Sequence, residues 1–220
     1  MSKQTPRKFQ PIYLLTIGYA AAVYLFPVLW LLLNKDTPDP GDEGKITPSM
    51  ILPLLIPGVL GLVNLITVIV RWKQLDRETL LHCAVIIKYA LVPFFIVGGC
   101  CIALMWALTF SPVVIMIFIG PVIVAIFSVL GYISMLGSAP YSIGYLIRSG
   151  KEQVHPAWMC IAGGVMQLFF TLDTISVMLL ALKEKKCIKA TIVMAALLVL
   201  AFLVFAVGIV LLILDISKGG

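Results

Sequence analysis

From Tyr89 to Ile147 the chain runs 59 residues without an Asp, Glu, Lys or Arg. A hydrocarbon core about 30 Å thick is crossed by ~20 apolar residues of helix, so this stretch alone holds at least two spans. Ala190 to Leu214 adds a further 25 uncharged residues. A soluble domain carries roughly 25% charged residues, whereas this 220-residue chain carries 12%, with 61% hydrophobic residues. Its mean hydropathy is +1.11. No run alternates polar and apolar residues as a membrane barrel does, so helices must satisfy the backbone in lipid.

The pattern predicts an all-α transmembrane bundle of about six spans, near 11–33, 49–70, 84–108, 112–136, 157–182 and 190–214. Short connectors make residues 1–220 one integral membrane domain. The N-terminus is basic and then apolar, as in a signal peptide. Its apolar part exceeds the 7–15 residues of a signal core, so it reads as a retained first span.

Lys and Arg counts orient the bundle. With the N-terminus cytoplasmic, inner segments hold Lys3, Arg7, Lys8, Arg71, Lys73, Arg77, Arg148, Lys151 and Lys218. Outer loops hold Lys35, Lys45, Lys183, Lys185, Lys186 and Lys189. The basic loop "KEKKCIK" is discordant, because six spans place it outside. A re-entrant piece within "GSAPYSIGYLIRSGKEQVHPAW" would change the parity; otherwise the last span overrides the charge bias. Trp30, Trp72, Trp106 and Trp158 fall at span ends, where the interface favours them.

Composition also excludes classes. The formal charge of +6 lies at span ends and in loops, where it sets topology and meets anionic headgroups rather than nucleic acid. The five cysteines have no metal-ligand spacing, and no cofactor motif is present. There is no H-E-x-x-H, G-x-S-x-G or Walker loop, and no second intramembrane acid for a carboxylate dyad. The chain does not read as an enzyme. Pro27, Pro53, Pro57, Pro93 and Pro121 read as packing kinks in preference to hinges for transport. Gly98-Gly99 and Gly163-Gly164 suit close helix packing, and His82, His155, Glu78 and Glu152 read as solvated groups at the interface.

One acid interrupts the apolar spans: Asp173, in "MQLFFTLDTISVMLL". On a continuous helix, Val165, Leu168, Leu172, Ile175 and Leu179 form a lipid-facing stripe, and Asp173 turns away from it. Gln167, Thr171, Thr174 and Ser176 share the inward half, although Gln167 is not an immediate neighbour of the acid. An aspartate within the bilayer costs roughly 2.5–3.5 kcal/mol on insertion scales and marks a functional site by default. Two readings stand: a site for a proton, cation or polar group, assisted by Gln167 and Ser176, or an interhelical bond. Lys88 is the obvious counter-charge. Span limits put Lys88 roughly 7 Å deep and Asp173 roughly 24 Å deep, so the expectation is that Lys88 snorkels to the headgroups.

Between Leu81 and Lys186 the chain resembles a family of small, uncharacterised multi-span membrane proteins of Gram-positive bacteria. The likeness rests on "IIKYALVPFF", "GSAPYSIGYLIR" and "QLFFTLDTIS" followed by "ALKEKK". An Ile-Lys followed by Pro falls at Lys88 and Pro93. A Ser/Gly turn before Arg falls at Ser142, Gly144 and Arg148. The Gln-x-x-Phe-x-x-Asp-x-Ile-Ser pattern falls at Gln167, Phe170, Asp173, Ile175 and Ser176. The family pattern stops after the Lys-rich tail, so the span at 190–214 departs from it. The resemblance implies a bacterial cytoplasmic membrane and no established activity.

These features lead to a multi-pass membrane protein, either a small transporter-like or ligand-binding protein or a structural or accessory subunit. Its partners are then the lipid bilayer and a membrane protein or a second copy.

Overall fold

The computed structural model describes residues 11–35, 48–109 and 114–218. The described residues form seven helices: α1 (Ile12–Leu33), α2 (Pro48–Val70), α3 (Arg77–Thr109), α4 (Val114–Lys151), α5 (Ala157–Met166), α6 (Leu172–Lys183) and α7 (Ile188–Lys218). All-helical architecture is what charge-free runs impose where no water can take up backbone groups. Five helices, α1, α2, α3, α4 and α7, are long and apolar enough to cross a membrane.

The span expected at 157–182 is instead two short helices. α5 has 10 residues and α6 has 12, or about 15 and 18 Å of rise, roughly half a hydrocarbon core each. They double back on one another. Lys183 Nζ, at the end of α6, lies 3.2 Å from Met159 Sδ near the start of α5. Glu184 Oε1 lies 3.4 Å from Nε2 of His155, just before α5. The pair is a helical hairpin that enters and leaves at one end of the bundle.

This hairpin accounts for the discordant loop. Its return brings Lys183, Lys185, Lys186 and Lys189 to the end that carries Arg71, Lys73, Arg77, Arg148 and Lys151, hereafter the basic end. The re-entrant piece therefore lies at 157–183. The stretch "GSAPYSIGYLIR" belongs to α4, which continues 38 residues to Lys151, past the expected end at 136.

α3 and α4 run antiparallel and form the spine; α1 and α2 cover one side, and α6 and α7 pack on α3. The core gathers Tyr19, Val23, Leu80, Ile87, Leu91, Tyr141, Tyr145 and Val177. α2 meets α4 closely at Gly61, where an added Cβ would stand 2.7 Å from Gly137 Cα. By contrast, Gly98, Gly99 and Gly164 have nothing within 4 Å of an added Cβ, while Gly163 packs against Leu146. Only the last of these four fits the expectation of close packing.

Buried and half-buried polar side chains tie the helices together, one of them beside a proline. Pro93 removes a donor from α3, and one residue on, Tyr24 of α1 inserts its hydroxyl. That hydroxyl donates to Ala90 O at 2.7 Å and accepts from the Phe94 N–H at 3.2 Å. In α2, fully buried Asn64 donates to Gly137 O (3.1 Å) and accepts from the Tyr141 hydroxyl (3.1 Å). Such bonds fix rotation and register where apolar contacts alone slide.

Candidate functional site: a buried ion pair at the tip of a broken helix

The break between α5 and α6 has a local cause. The N–H groups of Gln167, Leu168 and Phe169 each donate three residues back, to Gly164, Val165 and Met166, a tightened end to α5. The Leu172 N–H then donates to Phe170 O at 2.7 Å across Thr171, whose φ is 68° and ψ −45°. That is a γ-turn of the rare, strained hand, here on a β-branched residue. Strain of this kind, about 1–3 kcal/mol, persists where the surrounding structure over-determines it, and it clusters at functional sites. Thr171 is itself exposed, so it does not join the inward cluster expected of it.

Asp173 sits in the first turn of α6, where the helix dipole favours a negative charge. The Thr174 N–H and hydroxyl donate to Oδ1 at 2.6 and 3.1 Å. Lys88 Nζ donates to Oδ2 at 2.5 Å. Every one of these partners is a donor, an arrangement that suits the carboxylate. Both charged residues are inside the protein, Lys88 0% and Asp173 1% exposed.

The expectation that Lys88 snorkels is thus corrected. A helix beginning at 84 and an unbroken span through Asp173 would hold the two residues at different depths. In the structure α3 begins at Arg77, and α6 runs antiparallel to it. Arg77 Nη1 pairs with Glu184 Oε1 at 3.0 Å at the basic end. Eleven residues along α3 from Arg77 comes Lys88; eleven residues back along the chain from Glu184 comes Asp173. Eleven residues are close to three turns, about 16 Å of rise, so the second pair forms on the same two faces as the first.

Gln167 is also closer than expected. It is fully buried, and its Nε2 donates to Ser176 Oγ at 2.6 Å and to Asp173 O at 3.3 Å. Ser176 Oγ in turn donates to Asp173 O at 2.8 Å. The broken helix brings Gln167 back over the start of α6, which a straight helix would not. Gln167 Oε1 is buried and has no hydrogen-bond partner among the described residues, so it is an acceptor still open at the tip. Val165, Leu168, Leu172 and Leu179 are exposed and Ile175 is half-buried, but the reversal at Thr171 divides the five, so they do not form the one continuous stripe expected.

A second polar cluster closes the basic end. His155, expected to be solvated, is buried with its Nε2 2.9 Å from the Tyr145 hydroxyl, which donates to Glu184 Oε1 at 2.9 Å. Glu152 bridges Arg148 at 3.0 Å and Arg77 at 3.6 Å, and Lys186 pairs with Glu78 at 2.8 Å. Burial, with Lys183 nearby, holds the His155 pKa below its ordinary 6.5, and Glu184 opposes that shift. The sequence signal for both clusters was the matched spacing Arg77–Lys88 and Asp173–Glu184, of opposite charge. Among the described residues no group of three His, Cys, Asp or Glu could hold a metal ion.

Fold and site together define an apolar helical bundle, compatible with a membrane protein, that keeps one ion pair in its interior beside a helical hairpin. The model of the "Family of unknown function (DUF6652)" matches residues 19–186, and the chain belongs to that family. The match takes in the whole hairpin and both ion pairs; it begins well before Leu81 and ends, as the resemblance does, at the Lys-rich tail. Neither a curated protein nor a solved structure matches the chain.

Proposed function

We propose that this is a multi-pass protein of the bacterial cytoplasmic membrane, with the basic end facing the cytoplasm. In this reading it is a small transporter-like or ligand-binding protein, and the Lys88–Asp173 pair is its exchangeable site. The observation that carries the reading is that pair, buried at the tip of a broken helix. Intramembrane ionisable residues mark ion, proton and substrate paths, and interrupted helices mark the binding sites of transporter folds.

The chemistry follows from the pairing. A proton or cation arriving at Asp173 cancels the attraction to Lys88 and leaves an ammonium without counter-charge in an apolar interior. That state is costly, and it is relieved when the hairpin swings to admit water or a solute. Gln167 and Ser176 hold the Asp173 carbonyl at the tip, and the strained Thr171 turn is where the hairpin bends. No catalytic step is assigned: Asp173 is engaged by Lys88 and Thr174, and among the described residues no second acid bonds to it.

A second reading draws on one specific feature. Both carboxylate oxygens already have donors from the chain's own residues, as in interhelical glue for an accessory subunit with a membrane-protein partner or a second copy.

The two readings separate in liposomes loaded with a pH-sensitive dye under an imposed potential. The site reading expects a proton-linked flux in the wild type that Asp173→Asn and Lys88→Met both abolish while the proteins stay monodisperse. A flux unchanged by either substitution removes the pair from the pathway. Loss of a co-purifying partner on substitution, without any flux in the wild type, selects the second reading.

A further inference from the structure

Along the outside of the bundle, between α2 and α4, runs an open apolar furrow of about 610 Å³. It is separate from the ion pair and from the basic cluster. Its floor is made of small residues: Gly58, Gly61, Gly137 and Gly144. The walls are large aliphatic side chains that stand out from the two helices, Leu65 and Ile69 on one side and Ile143 and Ile147 on the other, 38–63% exposed. Its lining runs from Gly58 to Trp72 along α2 and the turn that follows it. At helical rise that is about 21 Å, more than half the thickness of a hydrocarbon core.

At its basic end the furrow closes on a cation. Lys151 lines it, with Nζ 5.6 Å from the Trp72 ring centroid. Glu152, the adjacent acid, is taken by Arg148 and Arg77. Among the described residues no carboxylate pairs with Lys151. Exposed Arg71 and Lys73 flank Trp72 on the same turn.

We propose that this furrow is a lipid site: it seats an acyl chain of an anionic phospholipid of the leaflet at the basic end, with the phosphate on Lys151. The furrow is apolar along its length and ends on a cation, which matches the profile of an acyl chain carrying an anionic headgroup. Apolar walls contribute in proportion to the area they cover. The ammonium supplies the preference for negative charge, as basic pockets between membrane helices do.

Native mass spectrometry of the detergent-purified protein, doped with phosphatidylglycerol or phosphatidylcholine, tests this. The expected result is several-fold more retained phosphatidylglycerol than phosphatidylcholine in the wild type. Lys151→Glu abolishes that preference, and Leu65→Trp, which narrows the furrow, reduces retention of both lipids. Lys151 is exposed, so its variant folds and decides the headgroup claim even where the tryptophan is not tolerated. Equal retention of both lipids, unmoved by Lys151→Glu, overturns the proposal. So does a lipid-free protein that elutes as a dimer and dissociates on Leu65→Trp, which assigns the furrow to a second copy.

Discussion

At the scale of single residues, Lys88 and Asp173 matter because neither can be left alone. Removing one partner of a buried pair strands the other charge, at a cost of about 3–5 kcal/mol, whereas replacing both with apolar side chains of similar volume is often neutral. Asp173→Asn and Lys88→Met are therefore expected to lower the melting temperature in detergent sharply, and Lys88→Met with Asp173→Leu to recover most of it. A double variant as unstable as the single ones refutes the stranded-charge account. His155 is expected to contribute to the loss of stability in acid. Its pKa in the folded protein lies below the ordinary 6.5, so the unfolded chain takes up the proton first as pH falls. Stability from neutral His155 is thus present above that value and lost below it. The melting temperature is expected to drop between pH 7.5 and 5.5, with a smaller drop in His155→Gln; identical slopes refute the assignment.

At the scale of elements, the glycine contact between α2 and α4 sets how near the two helices sit. The Gly61–Gly137 approach leaves no room for a methyl group, and the atom met is backbone, which cannot turn aside. Gly61→Ala is expected to push α2 off α4 and cost about 1–3 kcal/mol, read as a lower melting temperature. Gly98→Ala in α3, which meets nothing, serves as the control and is expected to be neutral or slightly stabilising through helix propensity. The helices themselves were legible from hydropathy, and α1, α2 and α3 cover the expected spans with longer ends in α3. The break at 167–171 was not. No proline or glycine occupies it, and the chain turns there on Thr171 at positive φ, which no propensity favours.

At the scale of the whole molecule, the hairpin changes the parity of the chain. Six crossings place residues 153 and 185 on opposite sides of the membrane; five crossings and a hairpin place them on the same side. In a cysteine-free background, Gln153→Cys and Lys185→Cys are expected to react with a membrane-impermeant maleimide from one side, and Lys35→Cys from the other. Labelling of 153 and 185 from opposite sides restores the six-span topology. The hairpin also gathers positive charge. The described Lys and Arg at the basic end include the entire "KEKKCIK" set, so in the proposed orientation, with that end cytoplasmic, the loop no longer departs from the charge rule.

What the sequence determined by itself is the class: uncharged runs of this length leave helices as the only paired backbone in lipid. It also marked Asp173 as the one acid within the apolar spans, although the wheel that turned it inward assumed an unbroken helix. What only the tertiary structure decided is which charge meets it. Lys88 lies 85 residues away, and the pairing depends on the register between α3 and an α6 that the turn at Thr171 reverses. Register is a property of two helices packed together, whereas hydropathy is a property of each helix alone.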